Sequence, residues 1–204
     1  MIMRLAEENT SYVYSHSYKE QIFYGFRKVG EISDSGYNDE TYSIAATYVV
    51  SEPAGWAGHN PNRFDGDVQI LNKEYDRLKN FVEKSKLAIV ESLKKASRTR
   101  TRDLKVGDYV FSYLPADEYD DYDYDSFDCY RILEISDNGY KVLDILCISR
   151  YTLDFAERVH EFREDYELEW ITEALLLDEA QFLKAKTDAI SIRDKIAEMV
   201  KKLL

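Results

Sequence analysis

Cys129-Tyr-Arg-Ile-Leu-Glu-Ile-Ser-Asp-Asn-Gly-Tyr-Lys-Val-Leu-Asp-Ile-Leu146 sets Asp137-Asn138-Gly139 between two apolar runs of strand length. Asn-Gly tolerates the positive φ of a type I′ turn, so the stretch predicts an antiparallel hairpin with Asn138 and Gly139 at its tip. Upstream, Leu104-Lys-Val-Gly-Asp-Tyr-Val-Phe-Ser-Tyr-Leu114 reads as a further strand.

The pattern changes on either side of this β region. Leu71, Tyr75, Leu78, Val82, Ile89 and Leu93 follow steps of three and four, with Ser85 in the missing place. They predict an amphipathic helix from about Val68 to about Ser97, ending on Lys94 and Lys95, which suit the negative end of the helix dipole. Phe155, Val159, Phe162 and Tyr166 predict a short helix opened by Thr152, with Glu167 to Ile171 as a final strand. Asp178 and Gln181 form a capping-box pattern. Phe182, Ala185, Ala189, Ile192, Ile196, Met199 and Leu203 then keep a 3,4 repeat, predicting a long helix with a buried stripe facing the chain's own core or a second copy in a homodimer.

The first 50 residues predict an antiparallel meander. Tyr12, Tyr14, His16 and Tyr18 alternate with small residues, a run from Gln21 to Ile32 leads to Asp34-Ser35-Gly36, and Tyr42, Ile44, Ala46, Tyr48 and Val50 share one side of a third strand. Strands, helix, strands, helix is an α+β order: an antiparallel N-terminal sheet with its helix, then a small β region and a long C-terminal helix. A candidate boundary at Arg98 to Asp103 divides residues 1–103 from 104–204, within what is either one domain or two.

Val106-Gly107-Asp108 opening a strand, then a loop, a strand with Tyr130-Arg131 and a glycine-turned third strand resemble small SH3-like barrels of the Tudor type over residues 104–149. In that family a cage of aromatics commonly receives a modified basic side chain. No cage position is matched here.

The net charge of −12 disfavours a protein that grips nucleic-acid phosphates directly, and it is unevenly placed. Residues 68–103 hold five acidic and ten basic side chains, whereas residues 104–177 hold 19 acidic and six basic. Cys129 and Cys147 both lie in apolar runs, which predicts reduced thiols rather than a disulfide framework. Met1-Ile-Met-Arg-Leu-Ala-Glu-Glu8 lacks a signal-peptide core, and no stretch approaches the roughly 18 apolar residues of a membrane span, so a cytoplasmic protein is expected.

Common catalytic signatures are absent: no phosphate loop, dinucleotide fingerprint, Cys-x-x-Cys, His-Glu-x-x-His or Gly-x-Ser-x-Gly occurs. No cofactor is called for. His16, His59 and His160 are too dispersed for a local metal clamp, and His160 with Glu164 reads as a solvated pair on the short helix. Two loops remain. Gly55 to Asp67 gathers His59 and Arg63 with amides and carboxylates before a helix N-terminus, where a small anion or anionic substrate could bind; capping by Asp65 or Asp67 and turns at Asn60-Pro61-Asn62 explain the same residues without function. The second is Asp117, Glu118, Tyr119, Asp120, Asp121, Tyr122, Asp123, Tyr124, Asp125, Ser126, Phe127 and Asp128. Asp121, Asp123 and Asp125 alternate as in a calcium loop, but Ser126 stands where glycine is needed and Ile132 where glutamate is. A solvated hairpin tip accounts for the carboxylates. It does not account for the aromatics, which supply contact area and stack on Arg or Lys. The segment therefore points to a basic protein surface as partner, engaged as a nucleic acid would be, with inhibition of a nucleic-acid-handling enzyme as one outcome.

Overall fold

Val13, Phe26 and Tyr42 fall in one cross-strand row, and their burial organises the N-terminal part of the chain. In the computed structural model the described residues are 10–18, 21–28, 32–33, 36–37, 40–47, 68–99, 102–114, 126–148, 152–154, 158–163, 171 and 174–204. The fold is α+β, and the chain forms two compact units, Met1–Lys84 with Ile192–Leu204, and Ser85–Ser191. Both divisions fall inside helices, while residues 98–103 lie within the second unit.

The first unit contains β1 (Thr10–Tyr18), β2 (Gln21–Lys28), β3 (Ile32–Ser33), β4 (Gly36–Tyr37), β5 (Glu40–Thr47) and β6 (Val68–Leu71). Strands pair antiparallel in the order β5-β2-β1-β6, and β3 pairs antiparallel with β4 in a separate two-stranded sheet. The meander is thus present, with β6 added beside β1. Helix α1 (Asn72–Ala96) brings Tyr75 edge-on to Phe26 and Tyr42, at 5.6 and 6.2 Å between ring centres. Register puts Tyr12 beside Arg27 and Tyr14 beside Gly25, on the opposite face of the sheet. Tyr14 is buried there because Gly25 has no side chain; a Cβ would come within 2.2 Å of the Tyr14 ring.

Helix α1 starts at Asn72, not Val68, because Val68–Leu71 hydrogen-bond to β1, and Leu71 is exposed rather than part of the stripe. Ser11 Oγ donates to Asn72 Oδ1 at 2.7 Å, tying the helix start to β1. At the turn assigned to Ser85 the buried residue is Lys86, 7% exposed; its aliphatic stem fills the stripe between Val82 and Ile89.

The second unit contains β7 (Tyr109–Leu114), β8 (Ser126–Ser136), β9 (Gly139–Ile148), β10 (Thr152–Asp154), β11 (Arg158–Phe162) and β12 (Leu175–Leu177). The antiparallel order is β12-β7-β8-β9, and β9 shares its far edge between two partners: β11 along Tyr140–Asp144 and β10 at Cys147–Ile148. Ile145 is the extra residue of a bulge opposite Cys129 and Tyr130, and β9 changes partner at that point. Leu104, Val110, Tyr130, Ile132, Val142, Phe162, Ile171 and Ala174 form the core on one side. Before β7, Asp108 accepts two bonds from Arg102 and one from Lys105 N, while Gly107 takes φ 91° and donates its N–H to Ile132 O at 2.8 Å.

The hairpin of β8 and β9 is present with its tip shifted by one residue. Ser136 pairs with Gly139, so Asp137 and Asn138 are the central residues. Gly139 opens β9 at φ 138°, and a Cβ there would lie 2.0 Å from Phe162 O. Glycine is needed for this close passage as well as for its backbone conformation. The short helix expected across Thr152 to Tyr166 is not formed where it is described: Thr152–Asp154 and Arg158–Phe162 are strands. Pairing to the open edge of β9 outweighs the local 4,3,4 spacing, and Val159, which that spacing would bury, is exposed. Phe155 and Tyr166 lie outside the described residues, as does most of Glu167 to Ile171; Ile171 is buried with helical backbone.

Helix α2 (Glu179–Lys201) buries Phe182, Ala185, Ala189, Ile196, Ala197 and Val200 within the single chain. Ile192, Met199 and Leu203, from the seven-residue repeat, are only half-buried. An ordinary helix drifts about 20° per heptad, so the buried line moves from 199 and 203 to 200. No described helix is long and apolar enough to cross a membrane.

Candidate functional site

Leu114 and Ser126 form the last paired rung of β7 and β8, and the chain between them carries most of the acidic, tyrosine-rich segment. Asp117, Glu118, Tyr119, Asp120, Asp121, Tyr122, Asp123, Tyr124 and Asp125 lie outside the described residues, as do His59 and Arg63. The root of the segment is described. Tyr113 stacks on Phe127 with ring centres 4.8 Å apart, and Phe127 stacks in turn on Phe111. Lys94 Nζ sits 4.3 Å from the Tyr113 ring centre and 5.4 Å from that of Phe127. An aromatic pair with a cation on its face therefore stands where the acidic connection leaves the sheet, and Tyr113 is 38% exposed.

Asp128, the last carboxylate of the segment, is half-buried and turned toward the sheet. Burial raises its carboxyl, while bonds donated by the Cys147 thiol and the Tyr130 hydroxyl act the other way. Strand register explains these neighbours. Ser112, Asp128, Cys147 and Asp154 make one row across β7, β8, β9 and β10, and Val110, Tyr130, Asp144 and Arg158 make the next row on the same face, across β7, β8, β9 and β11.

Three carboxylates thus meet: Asp128, Asp144 at 9% exposure and Asp154 at 8%. Arg158 donates to Asp154 Oδ2, and His160 Nε2 stands 3.6 Å from Asp144 Oδ2. Oδ1 of Asp144 and Oδ1 of Asp154 are buried with no hydrogen-bond partner among the described residues. Burial, then the charges of Asp128 and Asp154, push the Asp144 carboxyl up to about 7 against the opposing pull of Arg158. Burial also raises both thiols, which are free. Among the described residues no His, Cys, Asp and Glu side chains are grouped so as to hold a metal ion.

Asp144, Asp154 and Arg158 were not singled out from the sequence, and His160 was paired with Glu164 on a helix that the strand replaces. A signal was present: Asp144 interrupts Val142-Leu143-Asp144-Ile145-Leu146, a charged residue inside an otherwise apolar strand. Comparison with protein-family models, curated proteins and solved structures finds no match to this chain.

Proposed function

We propose that the protein is a non-catalytic binding partner of a basic protein surface, with the segment from Asp117 to Asp125 as its contact; Asp128, turned toward Tyr130 and Cys147, is set apart from it. The observation that carries this reading is the siting of six carboxylates and three tyrosines on a connection whose two ends are held on one rung, Leu114 to Ser126, beside an aromatic pair that already accepts a cation. Carboxylates on such a connection speed encounter with a positive surface, and tyrosines add contact that salt does not screen. A groove built for nucleic acid is the surface this array suits best, and its occupation would inhibit the enzyme that owns the groove. The Tudor-type resemblance falls on β7, β8 and β9, and reception of basic side chains by aromatics is in keeping with it. The proposed location is the cytoplasm, where the free thiols of Cys129 and Cys147 stay reduced.

The test is affinity purification from the native host with the original chain and with Asp120, Asp121, Asp123 and Asp125 changed to Asn. A partner held by the original chain, lost by the variant and displaced by added duplex DNA supports the proposal. Equal retention of the same proteins by both chains rejects it.

A further inference from the structure

Among the described residues strand β11 pairs with β9 alone, with Arg158, Val159, His160 and Glu161 exposed and Phe162 buried. Beside it in the sheet are Asp144 of β9 and Asp154 of β10, two buried carboxylates within reach of a third; the Oδ1 atoms of both have no hydrogen-bond partner among the described residues. Among the described residues Arg158 is the permanent cation set against this group, and it donates to Asp154 Oδ2. Three ionised carboxylates in so dry a place would leave uncompensated charge, which is far costlier than a neutral acid. Either one carboxyl keeps a proton or water must reach it. β11 is the strand paired to β9 at Asp144, with Arg158 as the register partner and His160 Nε2 at 3.6 Å from Oδ2.

We propose that Asp144 is a proton-binding site whose proton keeps β11 seated on β9, and that the strand opens as the proton leaves. Each element around Asp144 contributes a group. From β8 come Asp128 and the Tyr130 hydroxyl, with Cys129 adjacent; from β9 the Cys147 thiol; from β10 Asp154; from β11 Arg158 and His160. Tyr130, Cys129 and Cys147 are all raised by burial and stay protonated, so they add no compensating charge. The carboxyl of Asp144 is held at about 7 when folded against 3.8 ordinarily. Opening β11 hydrates the carboxyl and relieves the burial that is the largest cause of its rise, so the proton is bound more tightly in the closed state; its contribution to closure is present at low pH and is lost progressively as pH rises through 7. Between pH 6 and pH 8 the same linkage raises the opening constant of β11 about tenfold.

Hydrogen exchange of the β11 amides, corrected for the intrinsic pH dependence and referenced to β7 and β8, reads this directly. The expected result is a tenfold rise in β11 opening between those pH values, abolished in Asp144→Asn, which stays closed at pH 8, and retained in His160→Gln. Carbon-13 titration of the aspartate carboxyls in the unaltered protein gives an independent reading if Asp144→Asn does not fold, with an expected Asp144 midpoint near 7. A flat profile in the unaltered chain, a rise that survives Asp144→Asn, loss of the rise in His160→Gln, or an Asp144 midpoint near 4 would each overturn the proposal.

Discussion

Lys94 lies over Tyr113 with its ammonium 4.3 Å from the ring centre, so a helix side chain is held against the root of the acidic connection. An exposed cation–π contact contributes about 0.5–1 kcal/mol. Lys94→Met should therefore lower stability by no more than about 1 kcal/mol in urea denaturation, since the methionine stem retains the packing. Tyr113→Ala should cost more, about 2 kcal/mol, because the stack on Phe127 goes with it. Equal losses in the two variants would mean that the stack contributes nothing beyond the cation.

Partner binding should separate into a salt-sensitive and a salt-insensitive part. Changing Asp120, Asp121, Asp123 and Asp125 to Asn should remove most of the dependence on salt, whose screening length shortens from roughly 10 Å at 0.1 M to 3 Å at 1 M. Tyr122→Ala with Tyr124→Ala should weaken binding at every salt concentration. Titration of the purified partner across that range checks both, and an unchanged slope in the four-Asn chain counts against the segment as the contact.

Gly139→Ala combines φ 138° with a Cβ 2.0 Å from the Phe162 carbonyl oxygen. A destabilisation of about 2 kcal/mol or more is expected, with β11 losing protection from exchange before β7 and β8 do. If thermal unfolding is unaltered, the close passage of β11 over the hairpin tip is not as described.

Ile196 and Ile192 distinguish the two periods that α2 could follow. Ile196 is fully buried, so Ile196→Ala should cost about 2–5 kcal/mol. The seven-residue repeat assigns a cost of that order to Ile192→Asp; a half-buried Ile192 can turn a carboxylate toward water, and about 1 kcal/mol is expected instead. Melting temperatures of the pair decide the matter.

Asp108 should shape the acid limb of stability. Its hydrogen bonds from Arg102, then that from Lys105 N, hold its carboxyl below the ordinary aspartate value. A lowered carboxyl stabilises above the unfolded-state value and loses that contribution as pH falls through it, so Asp108→Asn should flatten the melting profile below about pH 4 while lowering it at neutrality. A variant whose acid limb overlays the original one would show the pair to be energetically idle.

Elements with their own turn chemistry or long periodicity were legible in the sequence: the meander from Thr10 to Thr47, the hairpin at Asp137 and Asn138, and the two long helices. Failures arose where a distant strand decided the outcome. Val68 to Leu71 and Arg158 to Phe162 each have spacing compatible with a helix, yet each pairs with a strand whose edge would otherwise carry open N–H and C=O groups. The carboxylate group was illegible for the same reason. Asp128, Asp144 and Asp154 become neighbours only through register, and the bulge at Ile145 puts Asp144 and Cys147 on one face of the sheet.

The rung between Leu114 and Ser126 makes the acidic connection an exchangeable cassette. Its ends are already paired by the sheet, and loop closure entropy grows only with the logarithm of length, so the stretch between them can lengthen, shorten or change composition at little cost to β7 and β8. Substitutions, insertions and deletions should therefore accumulate in that stretch faster than in β8 or β9, while the frame of strands stays constant.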